Sequence, residues 1–334
     1  MKEASYYRKL ENSIVRCELC PHYCQLKNDE TGKCNVRQNR GGVLYTLNYG
    51  CVSSMNLDPL EKKPLYHFFP GKTVFSIGTY GCNLKCRFCQ NCKISQVGVP
   101  AEELLNEFTS RQLVMMAAAK KDSVGIAFTY NEPSVWIEFV EEVAELSHAS
   151  GLRNILVTNG FINPGPLQRL TEIIDAFSVD LKAFGEDFYR TQTQSALSPV
   201  LKSLEIIRNS GRHLEIVNLV IPGLNDDEFQ FEMMCEWIAQ NLGKNSVLHI
   251  SGYFPTYKAE EPATPPDLLH RFHLIASNYL DFVYIGNSSR FANNTCCPDC
   301  GNMLVSRRMY NVDIHGVNEK GSCNQCGLPV FQNF

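Results

Sequence analysis

The chain has 334 residues, 44% of them hydrophobic and 20% charged, which is enough apolar sequence for one large folded domain and a smaller addition. A net charge of −4 with no basic run of five or more argues against sequence-independent binding of nucleic acid. The first residues carry no apolar signal segment and nowhere do eighteen apolar residues run together, so a cytoplasmic chain without a membrane span is expected.

Residues 1–71 lack a regular hydrophobic period and read as a cysteine-rich N-terminal region. From residue 72 short β-branched runs alternate with helical periodicity. The strands are read at "TVFSIG" (73–78), "VGIAFT" (124–129), "NILVT" (154–158), "AFSVDL" (176–181), "LEIVNLVI" (214–221) and "VLHIS" (247–251). Helices are read between them at "LVMMAAAKK", "VWIEFVEEVAELSHAS", "LQRLTEII", "VLKSLEIIRN" and "FEMMCEWIAQNL". A further helix near 266–279 and the strand "FVYIG" (282–286) close the unit, taken as 72–290. Six strands alternating with helices predict an α/β fold with a parallel sheet and ligand chemistry at the carboxyl ends of the strands. Polar residues gather there: Glu132 in "TYNEP", Asn159 in "TNG", Asp180 and Lys182 in "DLK". Residues 291–334 are too few for a good core of their own.

Fifteen cysteines in a reducing compartment point to metal rather than to disulfides. Cys82, Cys86 and Cys89 have C-x3-C-x2-C spacing in a loop directly after a strand. Three thiolates serve three irons of a [4Fe–4S] cluster and leave the fourth iron open, whereas thiolate zinc sites usually take four ligands. Cys92 follows closely and is expected to stay off that open iron. Cys297, Cys300, Cys323 and Cys326 form two C-x2-C-G knuckles and read as a zinc ribbon, with a rubredoxin-like iron or an auxiliary cluster as the alternatives. Structural zinc contributes about 10–16 kcal/mol, enough to hold so small a unit folded. Cys17, Cys20, Cys24 and Cys34 suit either zinc, which is slightly preferred, or an auxiliary [4Fe–4S] cluster. His22 reads as a turn residue more than as a ligand, His249 as structural, and Cys235 as core filling. In "DPLEKKPLYHFFPG" (58–71), Glu61 to Lys63 and Tyr66 to Phe69 form either a lid over the mouth of the barrel or a loop capping its side.

The C-x3-C-x2-C loop, with Phe88 before its last cysteine, resembles the radical SAM superfamily. That resemblance implies a partial (β/α)6 TIM-like barrel, a [4Fe–4S] cluster on Cys82, Cys86 and Cys89, and S-adenosylmethionine (SAM) on the open iron, cleaved to a 5′-deoxyadenosyl radical. "TYNEP", "VTNGF" and "DLKAF" resemble elements of the pyruvate formate-lyase activating enzymes. They imply cofactor contacts from Asn131 and Glu132, the latter near the methionyl ammonium, from Thr158 or Asn159, from Asp180 near the ribose and from Lys182 facing the methionyl carboxylate. Phe88 joins that cofactor-binding set. Val157 stands where some activating enzymes carry an aspartate for a monovalent cation, which puts that cation site in doubt. Over nearly the whole chain, from "LCPHYC" to "CNQCG", the sequence is similar to the radical SAM protein of the AmmeMemoRadiSam group. The implied target is a protein or peptide and the implied electron donor a flavodoxin or ferredoxin. A small-molecule substrate and a non-catalytic redox or metal-handling module are the alternatives.

Overall fold

The computed structural model describes residues 1–100 and 106–334. Eight strands make the central sheet, ordered as they occur in the chain: β1 Ser54–Pro59, β2 Thr73–Gly78, β3 Ser123–Phe128, β4 Arg153–Thr158, β5 Ala176–Asp180, β6 His213–Val220, β7 Val247–Gly252 and β8 Phe282–Gly286. β1 is antiparallel to β2, and each later pair of neighbours is parallel. Helices α1 Ser110–Ala118, α2 Ile137–Ala149, α3 Pro164–Ile173, α4 Leu197–Asn209, α5 Glu228–Leu242 and α6 Pro266–Ala276 occupy the successive crossovers. This is the six-unit strand–helix arrangement of the expected partial barrel, with β1 and β8 left as edges. The sheet begins before residue 72, because β1 pairs along its length with β2. Pro59 and the polar run of "SMNLDP" concealed that strand; proline is tolerated there because β1 is an edge.

Helix starts are written locally. Thr109 and Gln112 form a capping box for α1, the Asp227 carboxylate accepts from the N–H of Gln230 to cap α5, and prolines open α3 and α6. Strand alternation then separates two cores. Ile126, Phe128, Leu156, Phe177, Val179, Ile216, Leu248 and Ile250 face the helices in the main core. The opposite face carries Val74, Ala127, Ile155 and Ala176, which form a separate cluster with Leu60, Leu65 and Phe68.

That second cluster shows the segment 58–71 to be more than a loop on the side or a lid over the mouth, although its Lys62, Lys63 and Pro64 do border the cavity there. It threads into the barrel, where the small side chains Ala127 and Ala176 leave room for Leu60, Leu65 and Phe68, all fully buried. Glu215 on β6 fixes it by accepting from the backbone N–H groups of Tyr66 (2.9 Å) and His67 (2.7 Å). His213 and His249 flank the same carboxylate at 2.9 and 2.6 Å. His249 therefore belongs to a buried network of the interior. A buried carboxylate costs several kcal/mol unless paired, and four partners offset that cost.

Two smaller units pack on the barrel. The N-terminal one has two three-stranded sheets, Lys2–Glu3 with Val43–Thr46 and Arg37–Arg40, and Tyr7–Lys9 with Val15–Cys17 and Gln25–Leu26. The C-terminal one has strands Thr295–Cys296, Met303–Arg308 and Asn311–Ile314. Its buried Arg307 donates to the carbonyl of Tyr66 at 2.6 Å and so locks the inserted segment from outside. Asn293 imitates a further strand, accepting from the N–H of Ile285 and donating to its C=O, which covers part of the β8 edge.

Candidate active site

The carboxyl ends of the strands open into a cavity of about 530 Å³. Cys82, Cys86 and Cys89 line it from the loop after β2, and Cys92, at the start of the helical turn Cys92–Ser95, does not. The loop is held from several sides. Asn131 accepts from the N–H of Thr79 at 3.0 Å and donates to the carbonyl of Gly81 at 2.8 Å, joining the ends of β2 and β3. Gly81 has φ +85°, and a Cβ there would lie 2.5 Å from the carbonyl oxygen of Cys34, so glycine alone fits against the N-terminal unit. Within the loop the N–H of Leu84 faces the Cys82 sulfur at 3.3 Å, and Ser95 Oγ lies 3.0 Å from Cys89 Sγ. Burial pushes the Cys86 thiol up to about 11, with the charge of Lys182 acting the other way.

Glu132 is buried, and each of its oxygens accepts at least one hydrogen bond. As the cap of the turn Pro133–Trp136 it accepts from the N–H of Ser134 at 3.0 Å. The hydroxyl of Thr158 (2.8 Å) and the N–H of Asn159 (2.8 Å) donate to its two oxygens. Burial still raises its pKa above the usual carboxylate range, against the pull of these donors. Asn159 reaches further: its Nδ2 lies 2.9 Å from Asn83 Oδ1 and 3.7 Å from Cys82 Sγ, so β4 touches the cysteine loop directly. Tyr130, just before this element, adopts φ +72°, a left-handed conformation that is uncommon for a bulky residue and often found at functional sites.

Asp180 and Lys182 line the same cavity as an ion pair, Nζ to Oδ2 2.9 Å. Burial disfavours the ammonium, but Asp180 and Cys86 outweigh it and hold its pKa above the ordinary lysine value. The backbone of Lys182 is fixed by the Tyr189 hydroxyl, which accepts from its N–H, and by Asn225 Nδ2, which donates to its carbonyl at 2.7 Å. The Phe88 ring, also lining the cavity, lies 5.9 Å from the ammonium. All seven cofactor-side residues read from the sequence, Phe88, Asn131, Glu132, Thr158, Asn159, Asp180 and Lys182, thus border one space with the three cysteines. Val157 borders it too, so an apolar side chain takes that wall position.

Sequence reasoning offered Glu61 to Lys63 as a lid over the mouth but missed how the opposite wall is built. Lys63, on the inserted segment, lies 2.6 Å from Asp58, and the hydroxyl of Tyr130 donates to the same carboxylate at 2.6 Å. Lys62 Nζ reaches its other oxygen at 2.9 Å. Burial works against the ionised form of Asp58, but these three donors outweigh it and leave its pKa below the usual carboxylate range. Ser251, Asn287 and Tyr310 complete the wall, Tyr310 coming from the C-terminal unit. A period-two or spacing argument cannot find residues brought together only by the insertion.

The two other cysteine groups stand apart from the cavity. In the C-terminal unit Cys297, Cys300, Cys323 and Cys326 bring their four sulfurs within 4.8 Å of one another, and Cys296 lies outside that set. Cys17, Cys20, Cys24 and Cys34 line a separate pocket. His22 borders that pocket, its Nε2 2.8 Å from the carbonyl of Asn83, which ties the N-terminal unit to the cysteine loop. Cys235 is fully buried in α5.

The family model of the radical SAM superfamily matches residues 76–233. An uncharacterized protein of Methanocaldococcus jannaschii is 37% identical over 335 residues, covering 99% of each chain. The benzylsuccinate synthase activating enzyme of Thauera aromatica is 23% identical over 206 residues, 61% of this chain and 62% of its own. In fold, a radical SAM methyltransferase from Sphaerobacter thermophilus superposes with TM-score 0.52 and 17% identity over 71% of each chain. With this full-length relationship and the matched superfamily model, the chain belongs to the radical SAM superfamily and is an enzyme of that type, whose chemistry calls for a [4Fe–4S] cluster and SAM.

Proposed function

We propose that the cavity binds a [4Fe–4S] cluster on Cys82, Cys86 and Cys89 and SAM beside it, and that the enzyme abstracts hydrogen from a protein or peptide. The observation that carries the reading is the donor set. Three cysteine thiols border the cavity, and the carboxylate of Glu132 and the Asp180–Lys182 pair stand around the same space. A cluster with three protein thiolates keeps one iron for an outside ligand. When bound and reduced, the cluster supplies the electron for reductive cleavage of SAM to 5′-deoxyadenosyl and methionine.

The chain's own residues bind and orient. Glu132, held by Ser134, Thr158 and Asn159, presents a fixed anionic acceptor to the methionyl ammonium. Lys182 presents a cation to the methionyl carboxylate, and Asp180 accepts from the ribose hydroxyls. Phe88 and Val157 contribute apolar wall that limits water near the reacting carbon.

A polypeptide target is supported by the rim. Phe254 and Tyr257, both exposed, sit in the loop after β7, and Lys258 of that loop donates its N–H to the carbonyl of Arg87 beside the cysteines. Exposed Tyr310 adds a third aromatic group from another unit. Aromatic side chains at an opening suit contact with a polypeptide. The likeness to the benzylsuccinate synthase activating enzyme, by its name an enzyme acting on another enzyme, points the same way. A flavodoxin or ferredoxin is the proposed electron donor. The test is deuterium transfer: the enzyme is incubated anaerobically with SAM, reductant and a deuterated protein extract, separated by size. Deuterium in 5′-deoxyadenosine from the protein fraction supports the reading; deuterium only from the small-molecule fraction refutes it.

A further inference from the structure

The N-terminal cysteines differ in geometry from the C-terminal ones. In the C-terminal unit Cys297 and Cys326 sulfurs lie 3.5 Å apart and those of Cys300 and Cys323 3.7 Å. Four thiolates around one tetrahedral zinc, at Zn–S about 2.3 Å, stand about 3.8 Å from one another, so this set has the spacing of a single ion. Among the described residues no other group of three or more cysteine, histidine or carboxylate ligands has all its ligand atoms within 4.8 Å. Cys17, Cys20, Cys24 and Cys34 are therefore spread around a space instead of a point, as are Cys82, Cys86 and Cys89. Sulfurs bound to separate irons of a cubane stand farther apart than sulfurs sharing one ion.

The walls of that pocket suit an anionic, sulfur-rich occupant. Leu19, Leu26 and Val135 make it apolar. Arg37 is almost wholly buried, with Nη1 3.8 Å from Cys17 Sγ and Nη2 paired with Glu138, while its Nε has no hydrogen-bond partner. A buried guanidinium N–H without an acceptor is costly, and an anionic sulfur-rich group beside it would use both the donor and the charge. Cys17, Cys20 and Cys34 are themselves buried and Cys24 half-buried. Low solvent exposure is one of the conditions that tune an iron–sulfur centre.

We infer that Cys17, Cys20, Cys24 and Cys34 hold a second [4Fe–4S] cluster, and that zinc spacing is confined to the C-terminal unit. With every iron bound by protein, this cluster would offer no site to SAM, so its chemistry is limited to holding and passing an electron. It would stand directly behind the active-site loop, since His22 contacts Asn83 and the carbonyl of Cys34 packs on Gly81.

The test is a metal count on the full chain after anaerobic reconstitution, joined to EPR of the dithionite-reduced protein. The triple variant Cys82→Ala, Cys86→Ala, Cys89→Ala is expected to keep about four irons, about four sulfides and one zinc, with an EPR signal unchanged by SAM. Two zincs and no iron in that variant would overturn the inference and leave the active-site reading untouched. The variant Cys20→Ser, Cys34→Ser is expected to lose about four irons and to keep a SAM-responsive signal. If it fails to fold, the triple variant decides alone.

Discussion

Glu132 offers the most direct test of how the cavity would hold its cofactor, through Glu132→Gln. The native carboxylate accepts from Ser134, Thr158 and Asn159 on two oxygens. Glutamine keeps one oxygen and turns the other into an amide NH2 that faces a donor. Rotated to keep Thr158 and Ser134, it leaves the N–H of Asn159 unpaired; rotated the other way, it leaves two donors unpaired. Each buried orphan costs about 1–3 kcal/mol, so the first arrangement is preferred and the fold survives with a lower melting temperature. The proposed contact to the methionyl ammonium loses its charge as well, worth about 1.5–3 kcal/mol, or roughly a 10- to 150-fold weaker SAM affinity. Anaerobic equilibrium dialysis of SAM against the reconstituted variant, with iron counted in the same sample, measures this. SAM affinity within twofold of wild type at unchanged iron content would refute the assignment.

Two further outcomes follow from the same geometry. His67 is fully buried against Tyr284, and burial depresses its pKa from 6.5 to about 3, so the unfolded chain takes up a proton that the folded chain refuses. Its contribution is fully present above pH 6.5 and falls as pH drops toward 3, by about 1.4 kcal/mol per unit once well below 6.5. The urea midpoint of His67→Gln should therefore be flatter between pH 6.5 and 5 than that of wild type; parallel slopes would count against it. Gly81→Ala places a Cβ 2.5 Å from the Cys34 carbonyl at φ +85°, costing at least about 1–2 kcal/mol and displacing the cysteine loop. It should lower iron incorporation while the far-UV circular dichroism stays native; normal iron content would show that the loop does not depend on that contact.

The barrel strands from β2 onward and their helices were legible because each element writes its own period: the inward Ala176, Ser178 and Asp180 alternate with the outward Phe177 and Val179 within five residues. The strand-end residues Glu132, Asn159, Asp180 and Lys182 were legible for a related reason, since a parallel sheet delivers every carboxyl end to one rim. What escaped was non-local. Nothing in "DPLEKKPLYHFFPG" announces that Glu215, some 150 residues on, accepts from its backbone, or that Arg307 clamps it from the last unit. The pairing of Asp180 with Lys182 was hidden as well, because the sequence offered each a separate partner on the cofactor and not one another. The metal of the N-terminal cysteines could not be read from C-x2-C-x3-C-x9-C, since zinc and a cluster accept that spacing equally.

The central claim is that the thiols of Cys82, Cys86 and Cys89 serve reductive cleavage of SAM. The measurement is 5′-deoxyadenosine formed under anaerobic reduction by the reconstituted enzyme and by Cys86→Ala, each with its iron counted. The account predicts steady formation by the native protein and a loss to background in the variant. Full activity in Cys86→Ala, or none in a native protein carrying its iron, would contradict it.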